Sequence, residues 1–197
     1  RKPAILHFAG AGKLLAVERA RHAARGCRAE LERDEAHAAC AAFECRREAI
    51  AASPKVHLQP GVQELLDQLV ARRDRAALAL GTGNMESGAR VKIGRFDLNR
   101  YFPVGGFGDV HCERPDIIRD AVKNAEAYYA RSFDPRETWV IGDTPHDIAG
   151  GKAIHALTMG VATGGAYGSG ELVAAGADVV FEDLSDTELV LHTFGLD

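Results

Sequence analysis

Three short apolar runs, each followed at once by a turn of glycine and polar residues, constrain this chain most. They occupy residues 4–8, 76–80 and 138–141. Runs of this length that end in such turns are typical of buried strands. Segments with helical periodicity lie between the second and third runs and after the third. This alternation predicts an α/β fold, a parallel sheet with helices on both faces.

The clearest helix is predicted to follow Pro60-Gly61, where one apolar stripe repeats with helical spacing. The stripe consists of Val62, Leu65, Leu66, Leu69 and Val70. Further helices are predicted over residues 86–95, from Pro115 onward and over 147–153, and short strands over 101–104, 157–161 and 178–181. Residues 13–52 are rich in Ala, Glu and Arg, which predicts helices there too.

An acidic pair follows the third apolar run, in the stretch Val140-Ile-Gly-Asp-Thr-Pro-His-Asp147. Parallel sheets bind ligands at the carboxyl ends of their strands, so Asp143 and Asp147 are expected at such an edge. Carboxylates there predict a Mg²⁺ site, held directly by Asp143 and directly or through water by Asp147. The alternative is a simple strand-to-helix turn in which an Asp caps the helix.

Thr82, Gly83 and Asn84 follow the second apolar run. A hydroxyl at a strand end, with backbone N–H groups beside it, can bind a phosphate oxygen. The three residues are therefore candidates for phosphate binding, although the same composition is typical of an ordinary turn.

A basic residue that could neutralise phosphate charge precedes the helix that starts near Pro115. Arg114 is the preferred candidate, because a cation there could also steady a nearby carboxylate. Lys92 is its rival, but it lies within a predicted helix, where it could simply be solvated.

Composition limits the classes of partner that this chain is expected to bind. The 197 residues carry a formal net charge of −4, which gives no reason to expect nucleic acid as a partner. No apolar run approaches the ~20 residues that span a bilayer, and no signal peptide is visible. A cytoplasmic protein without a membrane partner is expected, and no oligomeric state is predicted. The four cysteines form no CxxC pair, so reduced thiols are expected.

Taken together, these motifs resemble the haloacid dehalogenase-like (HAD) hydrolase superfamily, and within it the phosphoglycolate-phosphatase-like branch. The resemblance covers roughly residues 58–191 and rests on the segments LALGTGN (78–84), ERPDII (113–118), VIGDTPHDI (140–148) and TGGAYGSGELVAAGADVVFEDLSD (163–186). It implies a Rossmann-like core over residues 1–12 and 58–197, with a small helical cap inserted over residues 13–57. It also implies catalytic roles for Thr82 and Arg114 and a metal role for Asp143 and Asp147.

The family's first motif, DxDGT, supplies the nucleophile and the acid/base at the end of the first strand. Here that strand is followed by Ala9-Gly10-Ala11-Gly12-Lys13, so without a gap Ala9 and Ala11 stand where the acids belong. A second alignment fits better: residues 10–20 match a glycine-rich run a few residues beyond DxDGT, and the whole motif is then missing. Either the chain is a degenerate relative, or the sequence omits segments of the natural polypeptide.

Two functions follow from the resemblance. The first is a Mg²⁺-dependent phosphatase of a small phosphate ester, acting through an aspartyl-phosphate. The second is a non-catalytic relative that keeps the phosphate and metal half-site but has lost the nucleophile. The substrate itself cannot be predicted, since specificity in this family lies in the cap.

Overall fold

A computed structural model describes residues 4–9, 15–17 and 56–197, and the elements below are numbered within those ranges. Six parallel strands form one sheet in the described residues. In spatial order they are β5 (Gly105–Phe107), β4 (Ala76–Thr82), β1 (Ala4–Ala9), β6 (Thr138–Gly142), β7 (Leu157–Val161) and β8 (Val179–Phe181). The helices are α1 (Val62–Ala71), α2 (Glu86–Gly94), α3 (Arg114–Tyr129), α4 (Pro145–Ala153), α5 (Ser169–Ala174) and α6 (Thr187–Thr193).

Helices cover both faces of the sheet, as predicted. Side chains of a strand point alternately to the two faces, so a strand with apolar residues throughout needs cover on both. Ala76, Leu78 and Leu80 of β4 belong to the larger core, which includes buried residues of α1, α2 and α6. Ala77 and Ala79 belong to a second cluster, with residues of α3. The α/β prediction is confirmed.

The amphipathic stripe of α1 is confirmed in most of its length. Four of its five residues are buried, and only Val70, at the edge of the stripe, is 41% exposed. The left-handed Gly61 precedes the helix, and a β-carbon there would lie 1.9 Å from the backbone oxygen of Leu184. Glycine is therefore required for the close contact between this turn and residues 184–185.

Two strand predictions and one helix prediction need correction. The strand predicted over 101–104 is wrong, since a 3₁₀ turn occupies Leu98–Tyr101 and β5 begins only at Gly105. β4 extends through Thr82 instead of ending at Leu80. A short strand, β2 (Leu15–Val17), lies where a helix was expected.

The strand β2 pairs antiparallel with β3 (Val56–Leu58), with Leu15 opposite Leu58. This pairing brings together the two ends of the segment 18–55, which lies outside the described residues. The division into a core and a helical cap over 13–57 therefore stays a prediction.

Candidate functional site

The carboxyl ends of β4, β1 and β6 lie side by side at one edge of the sheet. The register sets Phe8 of β1 level with Leu80 on one side and with Ile141 on the other. Adjacent strands lie about 4.8 Å apart, so the ends of β4 and β6 are separated by about 10 Å. Thr82 and Asp143, at the ends of those strands, therefore flank the end of β1.

The acidic element is built by the start of α4. Thr144 is the N-cap of this helix: its side chain accepts a hydrogen bond from the Asp147 backbone N–H, while Asp147 Oδ2 accepts one from the Thr144 backbone N–H at 3.1 Å. The Thr144 hydroxyl also donates to Asp147 Oδ2 at 2.5 Å. This reciprocal capping box fixes the Asp147 carboxylate against the first turn.

Close backbone packing holds the same carboxylate from the strand side. A β-carbon on Gly142 would lie 2.4 Å from Cβ of Asp147 and 2.9 Å from its Oδ2. Any larger residue at 142 would therefore displace Asp147. The glycine before Asp143 in the sequence is explained by this contact.

Arg114, the first residue of α3, reaches the acidic element across the gap between the two helices. Its Nε lies 3.1 Å from Asp147 Oδ1, and the two side chains are 24% and 0% exposed. The Arg114 Nη1 is buried and makes no hydrogen bond within the described part of the chain. Arg114, which the sequence favours over Lys92, therefore contacts Asp147 of the predicted acidic pair.

Burial lowers the pKa of Arg114, and the nearby negative charge of Asp143 opposes that change. An arginine remains charged in proteins, so the guanidinium stays cationic between the two acids. Its charge can balance carboxylates or a bound phosphoryl group.

On the β4 side, the Thr82 hydroxyl is buried, and its position is fixed by Asn84. Thr82 Oγ1 accepts hydrogen bonds from the Asn84 backbone N–H at 3.2 Å and from the Asn84 side-chain amide at 3.0 Å. The hydroxyl still carries one proton to donate. Gly83 is exposed, with nothing within 4 Å of a β-carbon built on it, so a ligand can approach its backbone.

Lys92 also lies on the β4 side of the site, next to Asn84, and it is not an ordinary solvated lysine. Its Nζ donates to the Asn84 Oδ1 at 3.4 Å, and burial lowers the pKa of its ammonium group. Lys92 thus contacts the turn of Thr82 and Asn84, whereas Arg114 forms an ion pair with the acidic element. Which of the two takes the family's conserved basic role stays a prediction.

The donors present suit a hard cation. No group of three or more His, Cys, Asp or Glu side chains is arranged to hold a metal within the described residues. Mg²⁺ commonly needs only one or two carboxylates and fills its remaining positions with water and substrate phosphate. Asp143, which is half-buried at the end of β6, fits that role by its position at the edge. Asp147 is fully buried and is held by Thr144 and Arg114.

Two features of the site were missed from the sequence. The capping role of Thr144 could have been found, because Thr144 and Asp147 have the spacing of a capping box. Cys112, two residues before Arg114, forms a disulfide bond, so the expectation of reduced thiols is wrong there. The other three cysteines lie outside the described residues.

The strand order and the edge residues define an α/β protein whose polar residues gather where β4, β1 and β6 end. The family model for haloacid dehalogenase-like hydrolases matches residues 27–161. The chain therefore belongs to the haloacid dehalogenase-like hydrolase family, as the resemblance predicted. No match was found among curated proteins.

Solved structures share the fold at low sequence identity. A haloacid dehalogenase-like hydrolase from Streptococcus pneumoniae is 17% identical, with a TM-score of 0.66 over 98% of both chains. A hydrolase from Pseudomonas syringae is 19% identical, with a TM-score of 0.65 over 96% of this chain and 98% of that one. CbbY from Rhodobacter sphaeroides, solved in complex with phosphate, is 20% identical, with a TM-score of 0.64 over 94% and 96%.

Across the described ranges, no helix combines the length and hydrophobicity needed to cross a bilayer.

Proposed function

We propose that the carboxyl edge of the sheet binds a small phosphate ester together with Mg²⁺, as a Mg²⁺-dependent phosphatase does before the chemical step. The observation that carries this proposal is the partly buried Arg114 guanidinium, whose Nε lies 3.1 Å from Asp147 Oδ1 and which the charge of Asp143 also stabilises. An arginine in this position can balance the charge of a phosphoryl group bound beside it, and its side chain is 24% exposed.

Each of the predicted residues has a distinct task in this proposal. Thr82 donates its hydroxyl proton to one phosphoryl oxygen, and Gly83 presents its backbone N–H beside it. Asn84 holds the Thr82 hydroxyl in place. Arg114 neutralises phosphoryl charge from the other side of β1.

Asp143 would hold the cation directly, and Asp147 would act through water and through Arg114. Mg²⁺, when bound, would screen the charge of the phosphoryl oxygens and orient the ester. The cytoplasmic location and the absence of nucleic acid and membrane partners stay predictions of the sequence.

A second candidate function is full hydrolysis through an aspartyl-phosphate, and membership of a hydrolase family favours it. In that reaction a carboxylate attacks phosphorus, the ester oxygen leaves, and water then cleaves the acyl phosphate. The attacking carboxylate has to stand at the end of the central strand. That strand, β1, ends at Ala9, with Ala11 two residues further on, so this chain is expected to bind the ester with little turnover.

Introducing aspartates at positions 9 and 11 distinguishes the two candidate functions. We expect the unmodified chain to bind inorganic phosphate in calorimetry more tightly with Mg²⁺ than without it, and to hydrolyse an aryl phosphate only weakly. The A9D/A11D variant should hydrolyse the same ester roughly 10³-fold faster or more, since a nucleophile is worth several orders of magnitude.

The matched control is A9N/A11N, which adds similar volume without a carboxylate and should remain inactive. If the unmodified chain turns over as fast as A9D/A11D, hydrolysis is its function and another group supplies the nucleophile. If the unmodified chain binds no phosphate with or without Mg²⁺, the proposed binding function is wrong.

A further inference from the structure

The Arg114 side chain crosses the surface of α4 on its way to Asp147, and a glycine lies at the crossing point. A β-carbon on Gly150 would lie 2.6 Å from Cγ and 3.3 Å from Cβ of Arg114. These atoms are close to the α3 backbone, so rotation at the far end of the side chain cannot relieve the clash. The same β-carbon would lie 2.9 Å from Cδ1 of Ile118, one turn further along α3.

Gly150 is not there for its backbone conformation. It lies inside α4 and is not among the residues with positive φ. Glycine is, after proline, the least favourable residue in a helix interior, where alanine would be preferred. The feature that glycine provides here is room for the Arg114 side chain.

We propose that Gly150 is a positioning residue: its missing β-carbon lets the Arg114 side chain lie across α4 and place its guanidinium between Asp147 and the phosphate site. This inference rests on the proposed function for its effect on phosphate binding, but the placement of Arg114 can be tested separately. It makes Gly150 part of the site although it touches no ligand.

The first test is phosphate affinity of the G150A variant with Mg²⁺ present. Displacing the guanidinium should weaken inorganic phosphate binding by about tenfold, the lower end of what supporting residues around a metal site contribute. G170A is the matched control: Gly170 lies in the short helix α5, is exposed and has nothing within 4 Å of an added β-carbon. Its phosphate affinity should equal that of the unmodified chain.

A double-mutant cycle with Arg114→Ala distinguishes positioning from a general structural defect. Alanine removes Cγ and thereby most of the clash, so G150A should add little further loss of affinity in the R114A background. If G150A binds phosphate like the unmodified chain, or if the two losses simply add, the positioning role is overturned.

A crystal structure of G150A decides the point even if the chain binds no phosphate at all. We expect the Nε of Arg114 to have left its position 3.1 Å from Asp147 Oδ1. An unchanged ion pair would overturn the inference, whatever the phosphate data show. If G150A fails to fold, R114A/G150A should fold; equal failure of the double variant would assign the clash to Ile118 and overturn the role of Arg114.

Discussion

Replacing Arg114 by methionine removes the cation and keeps most of the apolar stem. Asp147 is 0% exposed, so its carboxylate would remain buried after losing the Arg114 cation. Breaking a fully buried pair in this way costs about 3–5 kcal/mol. Arg114 is 24% exposed and Asp147 keeps its hydrogen bonds from Thr144. We therefore expect the free energy of unfolding to fall by about 3 kcal/mol, the lower end of this range.

Urea denaturation followed by circular dichroism measures this loss. With a slope of about 3 kcal/mol per molar, a loss of 3 kcal/mol lowers the urea midpoint by about 1 M. The matched control is Arg119→Met in the same helix, whose ion pair with Asp116 has a shorter distance, 2.6 Å, but exposures of 55% and 48%. An exposed pair of this kind contributes less than about 1 kcal/mol.

The double variant R114M/D147N sharpens the result. Asparagine removes the buried charge and keeps an oxygen that can accept from Thr144, so the double variant should be more stable than R114M alone. If R114M loses no more stability than R119M, the ion pair at the site is not a buried pair in solution, and the electrostatic reasoning is refuted.

Two further predictions concern stability. Asp178 accepts hydrogen bonds from the Thr158 backbone N–H at 2.7 Å and from Lys152 Nζ at 2.6 Å; D178A should therefore cost roughly 2 kcal/mol in urea denaturation. Burial alone would raise the pKa of Asp178, but these hydrogen bonds outweigh it and the pKa is lowered. The folded pKa lies below the unfolded one, so this stabilisation is present above the unfolded pKa and is lost as pH falls through the folded pKa. The difference in unfolding free energy between D178A and the unmodified chain should shrink in that acidic range, and a constant difference would contradict the assignment. Ala130 ends α3 with φ 50° and is exposed; A130G should raise the thermal midpoint, gaining about 0.5–1 kcal/mol, and a lowered midpoint would contradict the left-handed cap.

The buried strands could be predicted from the sequence because their side chains carry the signal. The strands predicted over 138–141 and 157–161 end within one residue of the observed β6 and β7. In β6 the consecutive apolar residues Trp139, Val140 and Ile141 do not follow the period of a helix and are typical of a buried strand. β5 could not be predicted in the same way. Its Gly105 and Gly106 have no side chains to form a pattern, and a β-carbon on Gly106 would lie 2.0 Å from the Ile117 backbone oxygen of α3.

The residue types of the site could also be predicted, but their pairing could not. Asp143 and Thr82 were expected at strand ends because apolar runs lead into them. The contact between Arg114 and Asp147 depends on how α3 packs beside α4, where a β-carbon on Gly150 would lie 2.6 Å from Cγ of Arg114. No short-range spacing encodes such a contact between helices that are separated along the chain by a 3₁₀ turn and the strand β6.

The most direct test of the central claim is calorimetric titration of inorganic phosphate into the full chain and into D143N, each with Mg²⁺ and with a chelator. If Asp143 holds the cation beside the phosphate, Mg²⁺ strengthens phosphate binding to the unmodified chain, and D143N loses that gain while remaining folded. Phosphate binding that is equally strong in the chelator, or a Mg²⁺ effect that survives in D143N, would contradict a shared cation and phosphate site at this edge.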